Sequence, residues 1–398
     1  MINAMRFLRF VLFVWVLCGS QAYSGKYIDS LSGIDASGLL VLDANGQSLY
    51  SKQAEQMFIP ASTVKLLTAL MALKYWGREH RFTTEFYIDE EHNILVVKGL
   101  GDPYLVSEEI DLIVEKIEQL GIKSFSSIHV DTSYFSESLN NTSLATTNNP
   151  YDASASVLAA NFNTIEVNVV DGVVISGEAQ TPITPMARSL ATYLANGKQR
   201  INLGNAQRGP QYFVEVLSEK LRQVNITIEK AQILETDSAK LTLLFTHKNS
   251  RSLDQMIAGM LEYSNNFIAN QLFLMLGAER FAAPAGFEKS RQMLKEFIDK
   301  HFQWQQYAVY DGAGLSRSNR LSARQLTEIA RKFVSYRDLM PSQKRLIRAK
   351  SGTLNGVSCY AGFVHRGGEW LTFALLINQP VEYRFRERLA DELLTTSF

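Results

Sequence analysis

The chain has 398 residues, 46% hydrophobic and 20% charged, with 40 basic and 40 acidic side chains and a formal net charge of zero. This is the balance of a globular protein with an ample core and room for two or three domains. It excludes the basic excess of a nucleic-acid binder, and no polybasic run offers a grip on an anionic membrane.

A basic start, Met1 to Arg9, is followed by the short apolar run Phe10 to Cys18 and the small-residue stretch Gly19-Ser20-Gln21-Ala22. That order predicts a signal peptide over residues 1–22, cleaved near Ala22, and so an exported, periplasmic protein. The run is too short to span a bilayer comfortably, so membrane association is at most peripheral. Without Cys18 the only thiol is Cys359, in an apolar strand, which leaves no internal disulfide. The six histidines show no paired spacing, so neither a metal site nor a cofactor is expected.

Gly38–Asp43 and Ser48–Ser51 flank Asn45-Gly46, a hairpin signal. The next stretch, from Ala61 to Leu73, is rich in Ala and Leu with almost no polar face, so the helix it predicts is buried all round. Pro60 suits its start. Ser62 and Lys65 stand one turn apart on the same face at its mouth. A buried lysine is costly without work or a partner, so the pair reads as a serine nucleophile with a lysine base. The plainer alternative is a capping serine and a lysine reaching solvent.

Strands are predicted over Thr83–Ile88, Ile94–Val97 and Ile128–Val130, with a turn at Lys98–Pro103 and an amphipathic helix over Ser107–Leu120. Ser136–Asn149 reads as a polar loop, and Thr164–Val170 and Val173–Ser176 as a hairpin about Asp171-Gly172. Phe213–Leu217 reads as a strand, with a helix as the alternative, and Ile226–Ile228 as a strand. The block is thus β-rich with one or two helices. A helix opens at Ser252 with a Ser252/Gln255 capping box, and its stripe Leu253, Ile257, Met260, Ser264 places Ser264 on the apolar line. Helical segments run on through Leu276 and from Phe287 to Phe302. Ser358–Val364 and Trp370–Ile377 form a closing hairpin, and Arg384–Leu394 a last helix.

Two further motifs accompany Ser62 and Lys65: Ser264-Asn265-Asn266 and Lys350-Ser351-Gly352. Ser-x-x-Lys, Ser-x-Asn and Lys-[Ser/Thr]-Gly, in that order, are the set of penicillin-binding proteins and related β-lactamases. The flanks Gly101-Asp102-Pro103, Asp311-Gly312-Ala313-Gly314-Leu315-Ser316-Arg317 and Thr353-Leu354-Asn355-Gly356 narrow this. Together they resemble the low-molecular-mass class C penicillin-binding proteins, the D-Ala-D-Ala carboxypeptidase/endopeptidase family typified by penicillin-binding protein 4.

The resemblance implies an α/β (α+β) fold. A serine β-lactamase/transpeptidase-like domain, residues 23–85 and 246–398, has an antiparallel sheet and helices and is interrupted by a β-rich insertion at 86–245. It implies peptidoglycan stem peptides ending in D-Ala-D-Ala as substrates and β-lactams as covalent inhibitors. It assigns Ser62 as nucleophile, Lys65 as base and Ser264 as proton relay. Asn266, Lys350, Ser351, Gly352 and Thr353 would bind substrate, with the N–H groups of Ser62 and Thr353 as oxyanion hole. Asp311 reads as a capping turn residue rather than a catalytic one. Asp152, in the insertion, reads as a surface aspartate with a substrate amine as the alternative partner. The chain departs from the family in having Ser351 where threonine is commoner and in its shorter length. A β-lactamase or esterase of the same fold, or a non-catalytic wall-binding scaffold, would share the motifs.

Overall fold

The computed structural model describes residues 25–136, 139, 153–230 and 236–398. The leader, Asp152 and nearly all of the Ser136–Asn149 stretch lie outside them. Helix α1 (Lys26–Ser30) leads to β1 (Ser37–Leu42) and β2 (Ser48–Lys52). A 3₁₀ turn over Ala61–Val64 then runs into α2 (Lys65–Trp76). A second body follows: β3 (Thr83–Asp89), β4 (Ile94–Lys98), α3 (Ser107–Gln119), β5 (Ser124–Asp131), β6 (Thr164–Val170), β7 (Val173–Ser176), α4 (Pro185–Ala191), β8 (Gly197–Asn202), α5 (Arg208–Gln223), β9 (Thr227–Lys230) and β10 (Thr242–Lys248). The chain returns through α6 (Leu253–Glu262), α7 (Asn266–Phe281), α8 (Phe287–His301) and α9 (Ala323–Lys332). It closes with β11 (Ser342–Gln343), β12 (Ile347–Leu354), β13 (Val357–Arg366), β14 (Glu369–Ile377) and α10 (Phe385–Leu393).

The first body is built on an antiparallel sheet in the order β11-β12-β13-β14-β1-β2, joining the two ends of the chain. Helices cover both faces. Leu40, Leu42, Ala374 and Leu376 pack with residues of α2, α6, α7 and α9, whereas Leu39, Val41, Phe373 and Leu375 pack with those of α1 and α10. A strand buried on both faces reads as a continuous apolar run, which is why β1 and β14 show no alternation. The helices α2 and α7 are the innermost: Lys65–Leu73 and Asn266–Ala278 are buried without interruption.

The second body has a five-stranded sheet, β10-β3-β4-β5-β9, and a three-stranded one, β7-β6-β8, around their own core. The larger sheet is mixed, because β4, β5 and β9 run parallel. It starts at Thr83 and ends at Lys248, three residues outside the expected limits of 86–245 on each side. Two expectations are corrected. Phe213–Leu217 is not a strand but the middle of α5, whose buried residues Tyr212, Phe213, Val216, Leu217 and Leu221 repeat at helical spacing. The block also holds three helices among the described residues, α3, α4 and α5, rather than one or two. Gln271 of α7 ties the two bodies together: its Nε2 donates to Gly101 O (2.9 Å) and Ser156 O (2.6 Å), and its Oε1 accepts from Ser156 N.

Close backbone contacts fix the mouth of α2. Ala61 adopts a left-handed φ of 46°, and Gly314, at φ 83°, passes so near that a methyl there would lie 2.0 Å from Ala61 O. Gly314→Ala is therefore expected to cost about 2 kcal/mol or more. Urea denaturation should show a lower midpoint, and a midpoint equal to wild type would contradict the packing described.

Candidate active site

The site forms where α2, α7, β12 and the Asp311 loop converge. Burial of the entire first turn of α2 leaves Lys65 with no exposure, yet its amine has three partners. Nζ lies 2.6 Å from Asn266 Oδ1, 2.8 Å from Ala313 O and 3.0 Å from Ser62 Oγ. The two carbonyl oxygens can only accept, so both take N–H groups of Lys65. The third direction on nitrogen faces Ser62. In the neutral amine that direction is the lone pair, and the Ser62 hydroxyl donates to it.

The electrostatics favour that neutral form. Burial holds the Lys65 amine well below the ordinary lysine range, and the charge of Lys350 adds to the effect against an opposing pull from Asp311. Lys350, almost fully buried on β12, is itself lowered to about 7 by burial and by the nearby Arg386, with Glu262 opposing. Its Nζ donates to Ser351 O at 2.8 Å.

Gly352 explains how β12 reaches Ser62. A methyl at this position would stand 2.8 Å from Pro60 O and 3.0 Å from Ser62 N, so only glycine lets the strand edge lie against the start of the helix. Lys350 and Gly352 are buried, Ser351 half-buried and Thr353 exposed, the alternation of one strand.

Asp311 organises the loop that supplies Ala313 O. One carboxylate oxygen accepts from the N–H groups of Ala313, Gly314 and Leu315 at 2.7–3.0 Å, and the other from Ser316 N and Asn319 Nδ2. With its lone pairs so occupied, it is a structural anchor, as its turn-like sequence suggested. Arg317, from the same segment, donates to Asn355 O.

Ser264 departs from its expected setting. It is not on the apolar stripe of a helix: α6 ends at Glu262, and Ser264 takes a left-handed φ of 53° in the turn before α7. Asn265 N bonds back to Met260 O and Asn265 Oδ1 caps Ile268 N, so this turn sends Asn266 inward at the head of α7. The Ser264 hydroxyl is half-buried and makes no hydrogen bond among the described residues. Hydrogen bonds thus join Ser62, Lys65 and Asn266, and backbone contact adds Gly352. Neither Ser264, Ser351 nor Thr353 is bonded to Ser62 or Lys65. Beside Ser264, a cavity of about 580 Å³ opens between Tyr104 and Phe162 of the second body and Tyr263, Asn265 and Ile268 of the first.

Two contributors escaped the sequence reading. Ala313 acts through its carbonyl, which no residue type announces. Arg386 lies on α10, outside every motif, and donates from Nη1 to Thr353 Oγ1 (2.6 Å) and Gly352 O (3.0 Å).

Comparison with known proteins identifies a family and relatives of this chain. The family described as the D-Ala-D-Ala carboxypeptidase 3 (S13) family matches over residues 29–200 and 194–339. A D-alanyl-D-alanine carboxypeptidase of Actinomadura sp. (strain R39) is 33% identical over 107 residues, 25% of this chain and 20% of that protein. The D-alanyl-D-alanine carboxypeptidase DacB of Haemophilus influenzae is 23% identical over 409 residues, covering 85% of this chain and 82% of its own. The crystal structure of penicillin binding protein 4 from Haemophilus influenzae superposes with a TM-score of 0.75 at 19% identity, over 93% of this chain and 100% of that one.

The buried lysines give a test. Lys350 holds a proton in the unfolded chain up to about pH 10.5 but gives it up near 7 when folded, so its contribution to stability improves as pH rises between those values. Lys350→Met removes that burden. The variant should melt higher than wild type at pH 7, with the advantage narrowing towards pH 10, and a lower melting temperature at pH 7 would contradict the assignment.

Proposed function

The chain belongs to the D-Ala-D-Ala carboxypeptidase 3 (S13) family, and from that premise we propose how its residues act as a serine D-Ala-D-Ala carboxypeptidase on peptidoglycan stem peptides. The observation that carries the reading is the buried Lys65 amine, held by two acceptors with its third direction on Ser62 Oγ. Lys65 takes the Ser62 proton as Oγ attacks the carbonyl between the two D-alanines. The N–H groups of Ser62 and Thr353 stabilise the oxyanion. Ser264 passes the proton to the leaving amine, and D-alanine departs. Water then takes the acyl group from Ser62 and regenerates the hydroxyl.

Lys350, Ser351 and Thr353 bind the terminal carboxylate, with Gly352 permitting the approach of the strand. Asn266 fixes Lys65 through Oδ1, and its Nδ2, without a partner among the described residues, receives the substrate amide carbonyl. The rest of the stem peptide extends towards the cavity lined by Tyr104, Phe162 and Tyr263. Residues 23–85 and 246–398 act as the catalytic domain and 86–245 as an insertion that shapes substrate access. The enzyme is exported to the periplasm, and no helix among the described residues is long and apolar enough to cross a membrane. Among those residues no carboxylate bonds Ser62 or Lys65, so nothing is poised to activate water quickly against a penicilloyl ester.

Intact mass after incubation with benzylpenicillin tests the reading. Wild type should carry one stable penicilloyl group and Ser62→Ala none, and wild type should release D-alanine from a pentapeptide. The acylation rate should rise with pH through a range below that of ordinary lysines, where Lys65 becomes neutral. No adduct on folded wild type would favour a scaffold, and an adduct lost within minutes a β-lactamase. A cross-linked stem-peptide dimer as substrate decides whether the enzyme also acts as an endopeptidase.

A further inference from the structure

We propose that Arg386 is a positioning residue for the substrate's terminal carboxylate, acting through the Thr353 hydroxyl; this rests on the reading of Thr353 as a carboxylate ligand given above. Arg386 belongs to none of the sequence motifs. Its side chain, only 18% exposed, is braced by Glu387, whose Oε1 accepts from Nε at 2.9 Å. Nη1 donates to both Gly352 O and Thr353 Oγ1, gripping β12 where it borders the nucleophile.

The bond to Thr353 has a direction. A guanidinium can only donate, so Thr353 Oγ1 must accept, and its own hydrogen is turned away from Arg386. A hydroxyl held in this way is a ready donor to an anion, and its orientation is set before substrate arrives. Arg386 also lines an open cleft of about 480 Å³ with Thr353, Leu354, Tyr383 and Arg384, so solvent and small anions reach it. The acidic side chains of that cleft each meet an arginine: Glu387 accepts from Arg386 through Oε1, its Oε2 having no hydrogen-bond partner among the described residues, and Glu382 Oε1 accepts from Arg388. Arg386 is close enough to Lys350 to weigh on its charge. The guanidinium of Arg386 and the amine of Lys350 thus both lie by the Ser351–Thr353 stretch, an arrangement that invites a carboxylate.

The test compares acylation by benzylpenicillin, which carries a carboxylate, with acylation by its methyl ester, which does not. In Arg386→Gln the second-order rate constant for benzylpenicillin should fall by about tenfold to a hundredfold, the worth of a charge-assisted hydrogen bond. The rate for the methyl ester should stay within about twofold of wild type, as the amine–hydroxyl pair is untouched. Arg386→Lys should recover part of the loss, and it supplies the same comparison if the glutamine variant does not fold. Because Arg386 acts through Thr353, adding Arg386→Gln to Thr353→Val should lower the benzylpenicillin rate little further. An equal fall for both compounds would mean a structural role and overturn the proposal, as would no fall for either. Failure of wild type to be acylated by either compound would instead overturn the reading of Ser62 as nucleophile.

Discussion

The contact on which the rest depends is the three-way hold on the Lys65 amine. A lysine with no exposure at the head of an apolar helix is either a liability or a neutral base, and its surroundings decide which. Each partner comes from a different part of the chain: Ser62 from the turn before α2, Asn266 from the head of α7 and Ala313 from the Asp311 loop. None of these can move without breaking the hold. The left-handed Ala61, the left-handed Ser264 and the five bonds into Asp311 are the local constraints that keep the partners in place. Strain of this kind persists only where surrounding structure over-determines it, and here it surrounds Ser62 and Lys65.

The same logic extends outward as a row of basic side chains. Arg386, Lys350 and Lys65 stand in sequence, Arg386 weighing on Lys350 and Lys350 on Lys65. Burial first, and the neighbouring charge second, holds the amines of Lys65 and Lys350 below the ordinary lysine range. Glu262 and Asp311 offset the row only in part. Basic groups crowded in this way attract an anion and carry a cost while none is bound.

Much of this was legible in the sequence where a single local rule governed. The Ser62–Lys65 spacing, the Ser252/Gln255 capping box and the hairpins about Asn45-Gly46 and Asp171-Gly172 all appear as read. Where two periods competed, reading failed: Phe-Val-Glu-Val-Leu alternates like a strand, but its neighbours Tyr212 and Leu221 extend it as a helix. Ser264 was misplaced because its stripe continues past Glu262, and nothing in the side chain announces a left-handed turn. The helix α9 was overlooked although its Ser322/Gln325 capping box repeats a signal recognised elsewhere. Ala313 and Arg386 lay beyond reading, because one acts through its backbone and the other is brought in by tertiary packing.

One helix carries both a residue of the candidate site and a tie to the second body. Asn266 and Gln271 lie on α7, the first accepting from Lys65 and the second bonding Gly101 and Ser156 of the other body. Both side chains are buried, and polar groups in that setting resist displacement because each lost partner leaves a desolvated group behind. Asp102 reinforces the join from the other side, its carboxylate, raised to about 6 by burial, accepting from Asn249 just before α6. A rotation of the second body would therefore pull on α7 and on the approach to α6, the two helices whose junction carries Ser264 and Asn266. The cavity wall that Tyr104 and Phe162 contribute from the second body is thus held in register with Ser62 and Lys65 by a rigid element rather than by a hinge.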